Sequence, residues 1–152
     1  MEPINNCPEC GSDWSNGITC REYFEGMLAW ESEYPEANNV HHLMVLCYHL
    51  QHPSLYSPEG LRGAIRLLAD FLDGGLTPEE VRRRDRKKLD SGVRKYKIKA
   101  TPTSHGAYQP PVHWTMTAAE VISGGPHLYE QNVKKWARSV LSAIKASGQP
   151  DS

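Results

Sequence analysis

Nowhere do apolar residues run on for the ~18 positions that a membrane-spanning helix requires, so a helical membrane anchor is excluded. The first thirty residues lack the basic-then-apolar pattern of a secretory leader, which argues against secretion and for a cytoplasmic setting. Charge of one sign is not in excess either: the formal net charge is -1, and bulk electrostatics select no partner. No GxSxG, P-loop or GxGxxG segment occurs, so familiar hydrolase, nucleotide and dinucleotide signatures are missing. There is no internal repeat.

What is present fits one domain. The 152 residues fall within the usual span of about 100–200 for a single domain. A hydrophobic fraction of 39% is enough for a packed core and rules out a wholly disordered chain. Four Cys and seven His are the informative counts. In a reducing compartment cysteines bind metal or stay free more often than they pair. Cys7 and Cys10 stand in C-P-E-C-G, a spacing that suits one shared metal better than a strained ring. Cys47, within the apolar run 43–47, reads as a small buried hydrophobe.

The periodicity predicts a mainly α protein. Residues 1–19 are polar and rich in turn formers. Thr19 with Glu22 is a capping box that opens a first helix over 20–33, ended by Tyr34-Pro35. A second, strongly apolar helix starts near 36–39 and runs to about Gln51, where Pro53 stops it. A third opens at Ser57-Pro58 and closes at Gly74-Gly75, and a fourth runs from Thr77-Pro78 to about 90–92. Residues 93–99 alternate weakly, as a short edge strand or extended arm would, and a long proline-containing loop follows. Thr117 with Glu120 opens a short helix to Gly124-Gly125. Pro126 begins a last one to about Ala146, with Leu128, Val133, Trp136, Val140, Leu141 and Ile144 facing inward. Trp30 and Trp136 are expected in the core. The expected architecture is a helical bundle with an N-terminal zinc knuckle and a long irregular loop before the last two helices. Residues 1–146 form one zinc-stabilised domain, with 1–19 as the knuckle, 93–113 as the basic loop and 147–152 as a frayed tail.

The knuckle calls for zinc. C-x2-C lets two thiolates reach one ion from a tight turn, and Cys20, in the first turn of a helix, gains from the helix dipole as a thiolate. The fourth ligand has to come from the histidine-rich second helix. His41 and His52 share a face but stand about 16 Å apart along a straight helix. His42 and His49 share another, about 10 Å apart. His41, at the start of that helix, stands nearest in sequence to a knuckle packed on the first helix. The expected set is Cys7, Cys10, Cys20 and His41.

C-P-E-C-G, Cys20 opening a helix, VHHLMVLCYHLQHP at 40–53 and VKKWARSVLSAI at 133–144 together resemble an uncharacterised family of small bacterial proteins. Its pattern is a CPxCG start, a Val-His helix closing in Gln-His-Pro, and a C-terminal Trp-Ala helix. The resemblance covers most of the chain except 93–113, which is longer and more basic here. The matching positions are Cys7, Cys10, Cys20, His41, His52 and His127. Where this chain has Leu46, such relatives often carry an acidic residue. The resemblance implies no established activity.

Three functions compete. The first is a zinc-stabilised binding or regulatory module with an unknown protein partner. The second is a metal-dependent hydrolase or transferase, in which His49 and His52 hold a second ion with His127 or His113 and leave one position open for water. The third is nucleic-acid binding through 82–99, whose ten basic residues face only Asp85 and Asp90. Candidate contacts there are Arg82, Arg83, Arg86, Lys87, Lys95 and Lys97.

Overall fold

In the computed structural model, residues 6–14, 16–91, 100–101 and 104–149 are described, with side chains described outside 85–91. Six α-helices follow in order: α1 (Cys20–Glu33), α2 (His41–Leu50), α3 (Pro58–Leu72), α4 (Pro78–Ser91), α5 (Ala118–Ser123) and α6 (Tyr129–Ser147). β-type pairing among the described residues is confined to two isolated antiparallel bridges, Asn6 with Asp13 and Thr101 with Ser104. No described helix is long and apolar enough to cross a membrane.

Local sequence explains the ends. Thr19 and Glu22 form the capping box of α1, and Thr117 and Glu120 form that of α5. Two boundaries differ from expectation. Pro35–Val40 is a 3-10 segment, and α2 begins only at His41. Asn38, Asn39 and Val40 are poor helix formers, so the tighter winding persists until the apolar run starts. Likewise Pro126–Leu128 is 3-10, and the last helix begins at Tyr129. The strand or arm suggested at 93–99 lies outside the described residues, as do 150–152 of the suggested tail.

α6 is the centre of the bundle and packs on α2, α3 and α5, while α2 also packs on α3 and α5 on α1. Met44, Cys47 and Leu50 of α2 are fully buried, as are Val133, Trp136, Ala137 and Val140 of α6. The α6 set recurs at three- and four-residue intervals, as a core-facing stripe must. Each large side chain so buried contributes about 1.5–3 kcal/mol.

α1 and α2 run antiparallel, held by three rungs. At one end Glu31 of α1 meets His41 of α2, with Nδ1 donating to Oε1 at 2.6 Å. Midway the Phe24 and Tyr48 rings stack with centroids 4.4 Å apart. At the other end Cys20, the first residue of α1, lies beside His52, just past α2.

His42 adds a pH dependence. Its ring packs edge-on against Phe71, with centroids 4.6 Å apart. Burial, and secondarily His41, hold its pKa below the ordinary 6.5, against a smaller opposing pull from Glu79. The unfolded chain therefore takes up this proton more readily than the folded one. Stability carried by neutral His42 is complete above the unfolded value and is lost progressively as pH falls from there through the lower folded value. His42→Phe is expected to flatten the fall in urea-unfolding stability between about pH 7 and 5. An unchanged slope would remove His42 from the account.

Candidate metal centre

The N-terminal turn is built to bring sulfur together. Gly11 adopts φ +77, a conformation open to glycine but strained for other residues, and lets the chain double back after Cys10. Its N–H donates to the Cys7 carbonyl at 2.9 Å, and the Cys7 N–H donates to the Ser12 carbonyl at 2.9 Å. Glu9, between the two cysteines, reaches outward. Its carboxylate accepts from the Ser54 N–H at 3.1 Å and from the Ser54 hydroxyl at 2.7 Å. The Thr117 hydroxyl donates to that of buried Ser12 at 3.3 Å. The turn is thereby fastened to the 3-10 segment Pro53–Leu55 and to the start of α5.

His52 completes the cluster because of Pro53. The residue before proline is driven from the helical region, and His52 sits at φ -128, ψ 67, outside the helix that Gln51 closes. Its Nδ1 donates to the Tyr48 carbonyl at 2.6 Å, which orients the ring and turns Nε2 toward the sulfurs. Nε2 lies 3.5 Å from Cys7 Sγ, and Cys10 Sγ lies 3.5 Å from Cys20 Sγ. The four potential ligand atoms all lie within 4.8 Å of one another, and all four residues are buried. A tetrahedral zinc site of ordinary bond lengths has edges of about 3.8 Å between sulfurs and about 3.6 Å between sulfur and nitrogen.

N–H groups point at the sulfurs, as thiolates require. The Cys10 backbone N–H donates to Cys7 Sγ at 3.4 Å, and the Trp14 indole N–H donates to Cys20 Sγ at 3.3 Å. Cys20 also occupies the positive end of the α1 dipole. Hydrogen bonds from Cys10 and Cys20 hold the Cys7 thiol far below its usual range. The same contacts push Cys10 far above it, because sulfurs this close cannot all shed protons unaided. Burial alone would lower His52, but hydrogen bonds to the Cys20 and Cys7 sulfurs and to the Tyr48 carbonyl raise it to about 10. A divalent cation would take the place of these shared protons.

The structure does not bring His41 to the thiols. It stands at the opposite end of α2 from His52, with Nδ1 committed to Glu31. The fourth member of the cluster is His52. The Glu31 side chain is only 4% exposed, and its other oxygen accepts from the Tyr129 hydroxyl at 2.5 Å. Burial first, then Glu31, pushes the Tyr129 hydroxyl well above its usual range. His49 is half-buried, its ring 5.5 Å from Tyr56 and 5.6 Å from Tyr48. His113 and His127 are exposed on the loop before α5 and on Pro126–Leu128. Among the described residues the cluster of Cys7, Cys10, Cys20 and His52 is the group of three or more Cys, His, Asp or Glu close enough to share an ion, so His49 and His127 join no second set. Cys47 is fully buried, and burial pushes its thiol above the usual range. Arg82 and Arg83 are exposed on α4, whereas the side chains of Arg86 and Lys87, and all of Lys95 and Lys97, lie outside the described part.

Sequence reasoning missed Glu9, Trp14 and the Tyr48 carbonyl. Only the His-Pro step at 52–53 was a readable signal, since it marks a histidine expelled from its helix.

A helical protein with a buried three-cysteine, one-histidine cluster able to hold a metal ion is thus the class that fold and site define. The sequence model of a family of unknown function, DUF5946, matches residues 5–145, and the chain belongs to that family. No curated protein and no solved structure matches it.

Proposed function

We propose that the protein is a zinc-stabilised helical binding module, working in a reducing, cytoplasmic compartment where its thiols remain free to ligate. The observation that carries this reading is the mutual approach of three sulfurs and His52 Nε2 within 4.8 Å. Three thiolates and an imidazole in a tetrahedron suit zinc better than the harder divalent ions. Four protein ligands leave no open position for water, and the set is buried, which are the marks of a structural rather than a hydrolytic ion. The ion would tie a polar leader, unable to bury a core of its own, to the start of α1 and the end of α2. Function then lies on an exposed surface. Elemental analysis of protein purified without added metal is expected to give one equivalent of zinc, and none for a Cys7→Ser/Cys10→Ser variant. Wild-type protein with no metal, or a variant that keeps a full equivalent, would overturn the reading.

A further inference from the structure

We propose that Cys10 and Cys20 form a dithiol switch: a hydroperoxide joins them in a disulfide, and the metal centre opens. The inference deepens the zinc-module reading and rests on it for the release of metal, though not for the bond between the sulfurs. The two Sγ atoms lie 3.5 Å apart, on residues ten positions apart in the chain. A disulfide needs about 2.05 Å, so they must close by about 1.5 Å. The segment between them can yield that distance. Gly11 and Gly17, near its two ends, have φ +77 and +81, and a Cβ on either would meet nothing within 4 Å. Asn16, Gly17 and Ile18 are exposed, so this stretch shifts without disturbing the core. Cys7 is the less suitable partner. Its N–H is held by the Ser12 carbonyl and its carbonyl by the Gly11 N–H, both at 2.9 Å, and its sulfur faces His52 Nε2 at 3.5 Å.

The sulfurs lie one side chain from water. Cys10 and Cys20 are 5% and 3% exposed, and the rings packed over the cluster, Trp14, Tyr48 and Trp114, are themselves only partly buried. Cys47, at 0%, sits in the main core instead. A small peroxide therefore reaches the cluster and not the fourth cysteine. Cys20 is the nucleophile of the pair. It occupies the positive end of the α1 dipole, and its sulfur accepts the Trp14 indole N–H at 3.3 Å; both favour an anionic sulfur.

The reaction takes two steps. The Cys20 thiolate attacks the terminal oxygen of the hydroperoxide, the O–O bond breaks, and the sulfur becomes a sulfenic acid. The other oxygen takes a proton from solvent and leaves as an alcohol, or as water when the oxidant is hydrogen peroxide. The Cys10 thiolate then attacks the sulfenic sulfur. The S–S bond forms, the S–O bond breaks, and the departing hydroxide takes a second proton to become water. Two electrons pass from the sulfurs to the peroxide, and two protons are consumed. Of the four ligands Cys7 and His52 then remain, two short of a tetrahedral set. The tie from the leader to α1 becomes covalent. Its tie to the segment after α2 falls back on the hydrogen bonds from Ser54 to Glu9. A dithiol reductant reverses the bond by exchange.

The test treats reduced full-length protein with about a tenfold excess of hydrogen peroxide. Released zinc is read with a chromogenic chelator too weak to strip untreated protein. Thiols are counted after denaturation, and the disulfide is located by peptide mass mapping. Free thiols are expected to fall from four to two, with a Cys10–Cys20 bond inside one chain and one equivalent of zinc released for each bond. Dithiothreitol and added zinc should restore the starting state. Cys47→Ala should form the same bond and release the same zinc, and in the wild type Cys47 should react at least about tenfold more slowly than the pair. A Cys7–Cys10 bond, a bond between chains, equally fast oxidation of Cys47, thiol loss without a disulfide, or thiols left unchanged would each overturn the proposal. Zinc-loaded protein that ignores peroxide overturns this inference and leaves the preceding reading standing. Protein that holds no zinc yet forms the Cys10–Cys20 bond overturns the preceding reading, and metal release with it, but upholds the dithiol pair.

Discussion

If the cluster holds zinc as proposed, stripping it with a strong chelator is expected to lower the melting temperature by about 10–20 °C. Structural zinc contributes about 10–16 kcal/mol in small peptides that have no other core. Here Met44, Leu50 and Trp136 are fully buried away from the knuckle and keep their contacts, so the net loss should be nearer about 5 kcal/mol. For a domain of this size each kcal/mol moves Tm by about 2–4 °C. The damage should be local. Hydrogen exchange should rise at Cys7, Gly11 and Ser54, whose amides depend on the closed turn, while α6 stays protected. Scanning calorimetry with and without chelator provides the measurement. Identical melting curves from a sample shown to have lost its metal would mean that the cluster does not stabilise the fold.

The second large effect separates two histidines. His52→Ala is expected to weaken zinc binding by more than about a hundredfold, because it removes a ligand and not merely a supporting hydrogen bond. His41→Ala should leave zinc stoichiometry intact and cost about 2–3 kcal/mol, for a different reason. It strips the His41 Nδ1 donor from Glu31, whose buried side chain is then left with the Tyr129 hydroxyl alone. His41 is itself half-exposed, so water compensates in part, and the cost falls below that of a fully buried pair. Replacing Glu31 and His41 together by Leu should recover part of the loss, and a double-mutant cycle isolates the coupling. If His41→Ala released the metal while His52→Ala did not, the assignment of the fourth ligand would be reversed.

Three of the four clustered side chains were readable from the sequence alone. C-x2-C in a tight turn and a cysteine opening a capped helix need only local chemistry. The bounds of α1 were legible for the same reason, since the Thr19–Glu22 box and Tyr34-Pro35 mark both ends. The fourth member was not found. Proximity along the chain favoured His41, at the start of α2, over His52, at its end. A connection as short as Pro35–Val40 returns the chain antiparallel, so the beginning of α1 lies beside the finish of α2. Stepping Phe24 against Tyr48 down the pair arrives at Cys20 and His52. The late starts of α2 and α6 were also missed, because 3-10 and α winding share their first hydrogen-bonding residues and differ little in pattern.

The spread of the cluster along the chain orders its assembly. Cys7 and His52 stand 45 positions apart, so a ribosome presents all three cysteines well before it has made the histidine. An ion caught early would be held by sulfur alone. On the zinc-module reading it would gain its imidazole only when the second helix had folded back along the first, so that closure of the coordination shell and formation of that hairpin would be a single event during synthesis.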